Sequence, residues 1–200
     1  MSEPRSVPRI IVAGIGNIFL GDDAFGVEVV RRLAWHVLPD YVRVVDYGIR
    51  GLDLAYALLN DYDLAILVDA AGRGEEPGTL YVLEPELRDS DADEPQPVLM
   101  EAHGMNPMRV LQMVRAMGGR PKRVLVVGCE PATLGDEFDG TMGLSAPVEA
   151  AVGRAVDIVK RLIRTADSQS AAPALMPALG RLEGSEEPTK EKISHGTYTS

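Results

Sequence analysis

Two hundred residues, 46 % of them apolar and 25 % charged, suffice for one domain with a substantial core. A formal charge of −10 leaves no basic stripe to neutralise phosphates or anionic lipid, which argues against nucleic acid and membrane surfaces as partners. A single cysteine, Cys129, permits neither an intramolecular disulfide nor a thiolate zinc site.

The opening MSEPRSVPR carries no apolar targeting segment, and no stretch approaches the ~20 apolar residues of a membrane span, so a cytoplasmic protein is expected. Arg9–Ala13 is a short β-branched run ending in glycines, a buried strand by pattern. Asp22–Leu38 follows with Phe25, Val29, Val30, Leu33 and Val37 at helical spacing. Val42–Val45 is predicted as the second strand and Gly51–Asn60 as the second helix. Leu64–Val68 is the third strand, and Thr79–Leu83 a short fourth. Helix Pro107–Met117, strand Arg123–Val127 and helix Pro147–Arg164 complete the pattern, with Pro107 and Pro147 in first turns, where proline is tolerated.

Strands alternating with helices predict an α/β three-layer sandwich, a mostly parallel five-stranded sheet with helices on both faces. The fourth strand follows the third after a loop too short for a helical crossover, so it is expected to be antiparallel. Residues 1–165 form the predicted domain. Ala166–Ser200, rich in Ser, Ala, Pro, Gly and Glu without periodicity, is expected to be a disordered tail. Glu84–Glu101 is an acidic, proline-bearing connection with seven acids against one base, a length usually functional or mobile.

In an open parallel sheet, ligands bind beyond the carboxyl ends of the strands. There the sequence places Gly14-Ile15-Gly16-Asn17 with Asp22 and Asp23, then Asp46, Asp69, His103 and Cys129-Glu130. The glycine pair first suggests a dinucleotide loop, and Asp46 could hold a ribose. Two features oppose this. Phe19 stands where a third glycine belongs. Asp22 and Asp23 occupy the place of a pyrophosphate, and like charges about 4 Å apart at an effective dielectric of ~20 repel by roughly 4 kcal/mol.

The alternative is a metal-ligand set. Asp23, Asp69 and His103 offer two carboxylates and an imidazole, which suits a borderline divalent transition ion with open positions left over. Each residue also has a plainer role. Asp22 or Asp23 could cap the helix or complement its dipole, Asp69 could cap a turn, and His103 could be an ordinary loop side chain. Cys129 with His103 would make a nucleophile pair, against the commoner small buried cysteine. Neither a G-x-S-x-G elbow nor an H-E-x-x-H helix is present.

In order along the chain, these segments resemble the [NiFe]-hydrogenase maturation proteases. The family's G-x-G-N followed by D-[DE]-x-x-G is matched by Gly14-Ile15-Gly16-Asn17 and Asp22-Asp23-Ala24-Phe25-Gly26. Its V-D-A at a strand end is matched by Val68-Asp69-Ala70, and its P-G-T hairpin by Pro77-Gly78-Thr79. Its histidine loop is matched by Glu101-Ala102-His103-Gly104, and its V-G-x-x-P and G-L-S/T by Val127–Pro131 and Gly143-Leu144-Ser145. Each motif is short; their order and spacing, from about residue 9 to 163, are specific.

The resemblance implies an endopeptidase that removes a C-terminal extension from the large-subunit precursor of a [NiFe]-hydrogenase after nickel insertion. It implies that Asp23, Asp69 and His103 are the metal-binding and catalytic trio, Asp23 being a shorter arm where the family commonly has glutamate. The loop Asp46-Tyr47-Gly48-Ile49-Arg50-Gly51 departs from the family's D-[GC]-G-T-x-G. Asn17, Asp46 and Arg50 are therefore the candidates for substrate contact and substrate choice. Nickel is expected to arrive with the precursor and be shared at the site, with no organic cofactor. Either the metal polarises the scissile carbonyl and its water, or the carboxylates act as acid and base while nickel licenses docking. A non-catalytic chaperone of the nickel subunit and a nucleotide-binding α/β module are the competing readings.

Overall fold

The computed structural model describes residues 7–85, 106–135 and 140–170. Element order is β1 (Ile10–Ile15), a 3-10 turn (Gly21–Ala24), α1 (Phe25–Leu33), β2 (Val42–Gly48), α2 (Gly51–Leu58), β3 (Leu64–Ala70), β4 (Leu80–Leu83), α3 (Pro107–Ala116), β5 (Val124–Cys129) and α4 (Ala146–Ser170). The five strands form one sheet in the order β2-β1-β3-β5-β4. The first three pairings are parallel, and β4 runs antiparallel to β5, with Leu80 opposite Cys129. The mostly parallel sheet with one antiparallel strand is the architecture expected from the sequence.

Period-two alternation sorts the strand residues onto two faces. Ile10, Val12, Ile66, Val68, Leu125 and Val127 pack with α1 and α4. Ile11, Ala13, Ile15, Ala65, Leu67, Val124 and Val126 pack with α2 and α3 on the other side. Because β1 and β3 are covered on both faces, they are continuous apolar runs, and every residue of each is buried.

The first helix differs from its sequence expectation at both ends. Residues 21–24 wind as a 3-10 turn, and the α-helix starts at Phe25. It ends at Leu33, after which the Trp35 N–H donates to the Arg32 carbonyl in a turn leading to Pro39. Val37, expected on the buried stripe, is fully exposed at 101 %, and Trp35 is 90 % exposed. At the other end of the chain α4 runs to Ser170, past the expected start of the tail, and Ala166 packs against the core.

The close approach of α1 to the sheet depends on Gly26. A Cβ there would stand 2.1 Å from the Val68 carbonyl oxygen and 2.3 Å from that of Ile15. The helix–strand contact therefore rests on a glycine seven positions beyond Phe19, which is 56 % exposed and obstructs nothing. This packing sets the loop from Gly16 to Ala24 directly over the ends of β1 and β3.

Candidate functional site

The chain leaves β1 for β2 on one side and reaches β3 on the other, so the carboxyl ends of β1 and β3 flank the switch point of the sheet. Gly16 makes the exit from β1 possible. Its φ is +131°, and a Cβ would lie 1.7 Å from the Asp23 carbonyl oxygen. The Asp23 carboxylate in turn accepts the Asn17 N–H at 2.6 Å. The loop amide that could meet a phosphate is thus already taken by a carboxylate of the same loop.

Asp23 and Asp69 line one cleft of about 590 Å³ at this edge. Asp69 is the penultimate residue of β3, opposite Gly128 of β5, and only 3 % exposed. Burial, reinforced by the negative charge of Asp23, raises its carboxyl well above the usual carboxylate range, and a hydrogen bond from the Ala70 backbone offsets only part of this. An acid so placed favours either a proton or a cation. Among the described residues no three His, Cys, Asp or Glu side chains are gathered closely enough to hold a metal ion. His103, the third member of the expected trio, lies outside the described residues, as does most of the acidic segment preceding it.

The neighbouring acid Asp22 has a different task from any considered in the sequence. It is fully buried and caps no helix. Its Oδ2 accepts the N–H of Ala132 at 2.8 Å, the N–H of Thr133 at 3.2 Å and the Ser145 hydroxyl at 2.8 Å, while Oδ1 accepts the Ser145 N–H at 2.6 Å. It fastens the connection between β5 and α4 to the start of α1. An adjacent bridge, Leu20 to Thr141, runs the same way.

Asn17 follows β1, Asp46 lies near the end of β2 opposite Gly14, and Arg50 precedes α2, but none of them lines the cleft formed by the described residues. The Asn17 Oδ1 accepts the Phe19 N–H at 3.0 Å, a local turn bond. Asp46 lies 3.4 Å from Arg31, and Arg50 donates to the Asp46 and Tyr47 carbonyls while approaching Asp53 at 3.9 Å. Cys129 is buried in the core among α4 residues. Burial, then the charge of Asp22, pushes its thiol up to about 11, which disfavours the thiolate and accords with a packing residue.

The cleft also contains residues the sequence did not single out, chiefly Arg73, Tyr81 and Asn106. Asn106 caps α3, its Oδ1 accepting the Arg109 N–H at 2.9 Å. Tyr81 donates its hydroxyl to the Ala71 carbonyl, and burial pushes its pKa up to about 12. Arg73 follows Asp69 by four positions on the ligand-binding edge of the sheet, which was the available signal. A more open depression of about 600 Å³ between Pro77–Leu80 and α4 contains neither Asp23 nor Asp69.

Fold and site together define a doubly wound α/β protein with a cleft at the strand ends that is lined in part by the carboxylates Asp23 and Asp69. A family model described as hydrogenase maturation protease matches residues 27–162. The hydrogenase expression/formation protein HupD of Rhizobium leguminosarum bv. viciae is 36 % identical over 81 % of this chain and 77 % of its own length. The hydrogenase 2 maturation protease of Escherichia coli is 33 % identical over 78 % of this chain and 91 % of its own. The structure of the hydrogenase maturating endopeptidase HybD from Escherichia coli superposes with a TM-score of 0.61 at 30 % identity, covering 79 % of this chain and 93 % of that one. The chain belongs to the hydrogenase maturation protease family. It is accordingly a hydrogenase-maturation endopeptidase.

Proposed function

We propose that this endopeptidase removes the C-terminal extension of a [NiFe]-hydrogenase large-subunit precursor after nickel has been inserted, meeting the nickel through Asp23, Asp69 and His103. The observation that carries this reading is the pair of carboxylates sharing one cleft, with Asp69 buried beside the charge of Asp23. Two acids held this way are relieved by a divalent cation, which removes both the like-charge repulsion and the unfavourable burial of Asp69. Two oxygens supply only part of a coordination shell, so nickel arrives as part of the substrate and the precursor's own ligands fill the rest. His103, carried over from the family resemblance, would add an imidazole.

Ligand sharing makes metal recognition and precursor docking reciprocal, since each strengthens the other by the same factor. The carboxylate least committed to the metal at the hydrolytic step is the group available to take the proton of the attacking water and pass it to the departing amine. The deciding experiment offers purified enzyme both metal-free and nickel-loaded precursor, with the enzyme's own metal content measured. Cutting of loaded precursor alone, by an enzyme holding little metal, is expected. Asp23→Ala, Asp69→Ala and His103→Ala should each abolish cutting in folded protein. Wild-type rates in all three variants would show that the site is elsewhere. Efficient cutting of metal-free precursor by an enzyme with stoichiometric metal of its own would overturn the shared-ion account.

A further inference from the structure

The loop between β3 and β4 carries a cation into the cleft that metal recognition does not use. Arg73 lines the same cleft as Asp23 and Asp69, and among the described residues it is the only basic side chain that does so. Its position is fixed from two sides. The Arg73 N–H donates to Oε2 of Glu130 at 2.7 Å and the Gly74 N–H to Oε1 at 3.1 Å, and Glu130 is itself only 6 % exposed. The guanidinium lies over the Tyr81 ring, 5.2 Å from its centroid, and the Tyr81 hydroxyl is anchored on the Ala71 carbonyl. Stacking occupies a face of the planar guanidinium and leaves its N–H edge available to an acceptor. Among the described residues Arg73 forms no ion pair, whereas Arg31, Arg32, Arg50 and Arg123 each do.

We propose that Arg73 is a substrate-recognition residue that receives a carboxylate of the precursor's C-terminal segment. This rests on the reading of the cleft as the peptidase site. The fork of N–H donors matches a carboxylate with two parallel hydrogen bonds. The cleft is then electrically polar along the bound segment, with the metal-bearing part drawn to Asp23 and Asp69 and an anionic part drawn to Arg73. Opposite charges at two points fix the direction and register in which a flexible chain lies, and so which peptide bond meets the acids. The carboxylate comes either from an acidic side chain of the segment or from its terminal residue.

The test compares wild-type enzyme, Arg73→Gln and Arg73→Lys on nickel-loaded precursor. It uses two altered precursors, one with the segment's acidic side chains changed to amides and one lengthened by several neutral residues past its end. Arg73→Gln is expected to raise KM roughly tenfold or more with little change in kcat, as loss of a charge-assisted hydrogen bond implies. Arg73→Lys should recover part of the loss. The difference between wild type and Arg73→Gln should vanish on one altered precursor. Vanishing on the amide form assigns the side chain, and vanishing on the lengthened form assigns the terminus. An unchanged KM, or an equal penalty on both altered precursors, overturns the proposal. A lowered Tm with unchanged KM also overturns it, by giving Arg73 a role only in the fold. Failure of the wild-type enzyme to cut loaded precursor would remove the peptidase reading itself, a result distinguishable from these.

Discussion

Asp69 carries a cost at neutral pH that its neighbourhood makes measurable. Its folded-state pKa lies above the ordinary value of 3.8, so the folded protein holds that proton more tightly than the unfolded chain does. Stability from this group is full below the unfolded value and is lost as pH rises through the folded one. Asp69→Asn keeps the size and the acceptor for the Ala70 backbone while removing the charge. The variant should melt higher than wild type at neutral pH, by about 2–4 °C for each kcal/mol relieved, with the gap closing as pH falls below the ordinary carboxylate range. Thermal melts across pH check this, and a variant that is less stable at neutral pH would contradict it. A second residue-scale expectation concerns Cys129. Its buried thiol, pushed up to about 11, should resist iodoacetamide in native protein at pH 8 and react at once after unfolding. The candidate acids were legible because strand ends are where ligands bind, but spacing could not separate Asp22 from Asp23. The partners that distinguish Asp22 lie 110 to 123 residues away, beyond the reach of any local pattern.

At the level of elements, the site is held by how closely α1 sits on the sheet. Gly26→Ala inserts a methyl group where backbone oxygens of Val68 and Ile15 would stand 2.1 and 2.3 Å away, so the helix must move off β1 and β3. Overpacking against backbone costs about 1–3 kcal/mol or more. The same shift carries the Gly16–Ala24 loop with it and displaces Asp23 relative to Asp69. Gly26→Ala should therefore lower both Tm and processing rate, and a variant with wild-type activity and melting would show that the helix tolerates the shift. The sequence made Phe19 an obstruction by forcing a three-glycine spacing onto this loop. The longer loop, with its own 3-10 turn, places the close contact at Gly26. The overlong first helix has a similar origin, since Val37 continues the helical spacing although the chain has already turned away.

For the whole molecule, the layer order and the antiparallel fourth strand followed from alternation and loop length, signals that survive without knowledge of contacts. The walls of the cleft did not, because Arg73, Tyr81, Asn106 and Val126 come together only through the strand order. At its far end α4 continues past residue 165, the expected end of the domain. Ala166 packs on the core and the helix runs to Ser170, so truncation after Ser170 should leave Tm nearly unchanged. Truncation after Thr165, which removes the Ala166 contact, should cost more stability than truncation after Ser170. Paired melting curves of the two truncations decide this, and equal Tm values would show that nothing past residue 165 adds to stability.

The Asp22 clip also bears on when the enzyme becomes an enzyme. A nascent chain that has emerged from the ribosome as far as β4 already carries both candidate acids, yet Asp22 is without Ala132, Thr133 and Ser145, and the edge strand β4 is without β5. Val126 and Leu134, which wall the cleft, have not been made. Contacts this distant in sequence form late, after the loop-closure entropy has been overcome. Proteolytic competence should therefore arrive only after Ser145 has been made, and a polypeptide stalled before β5 would be incomplete as a protease, not merely a weak one.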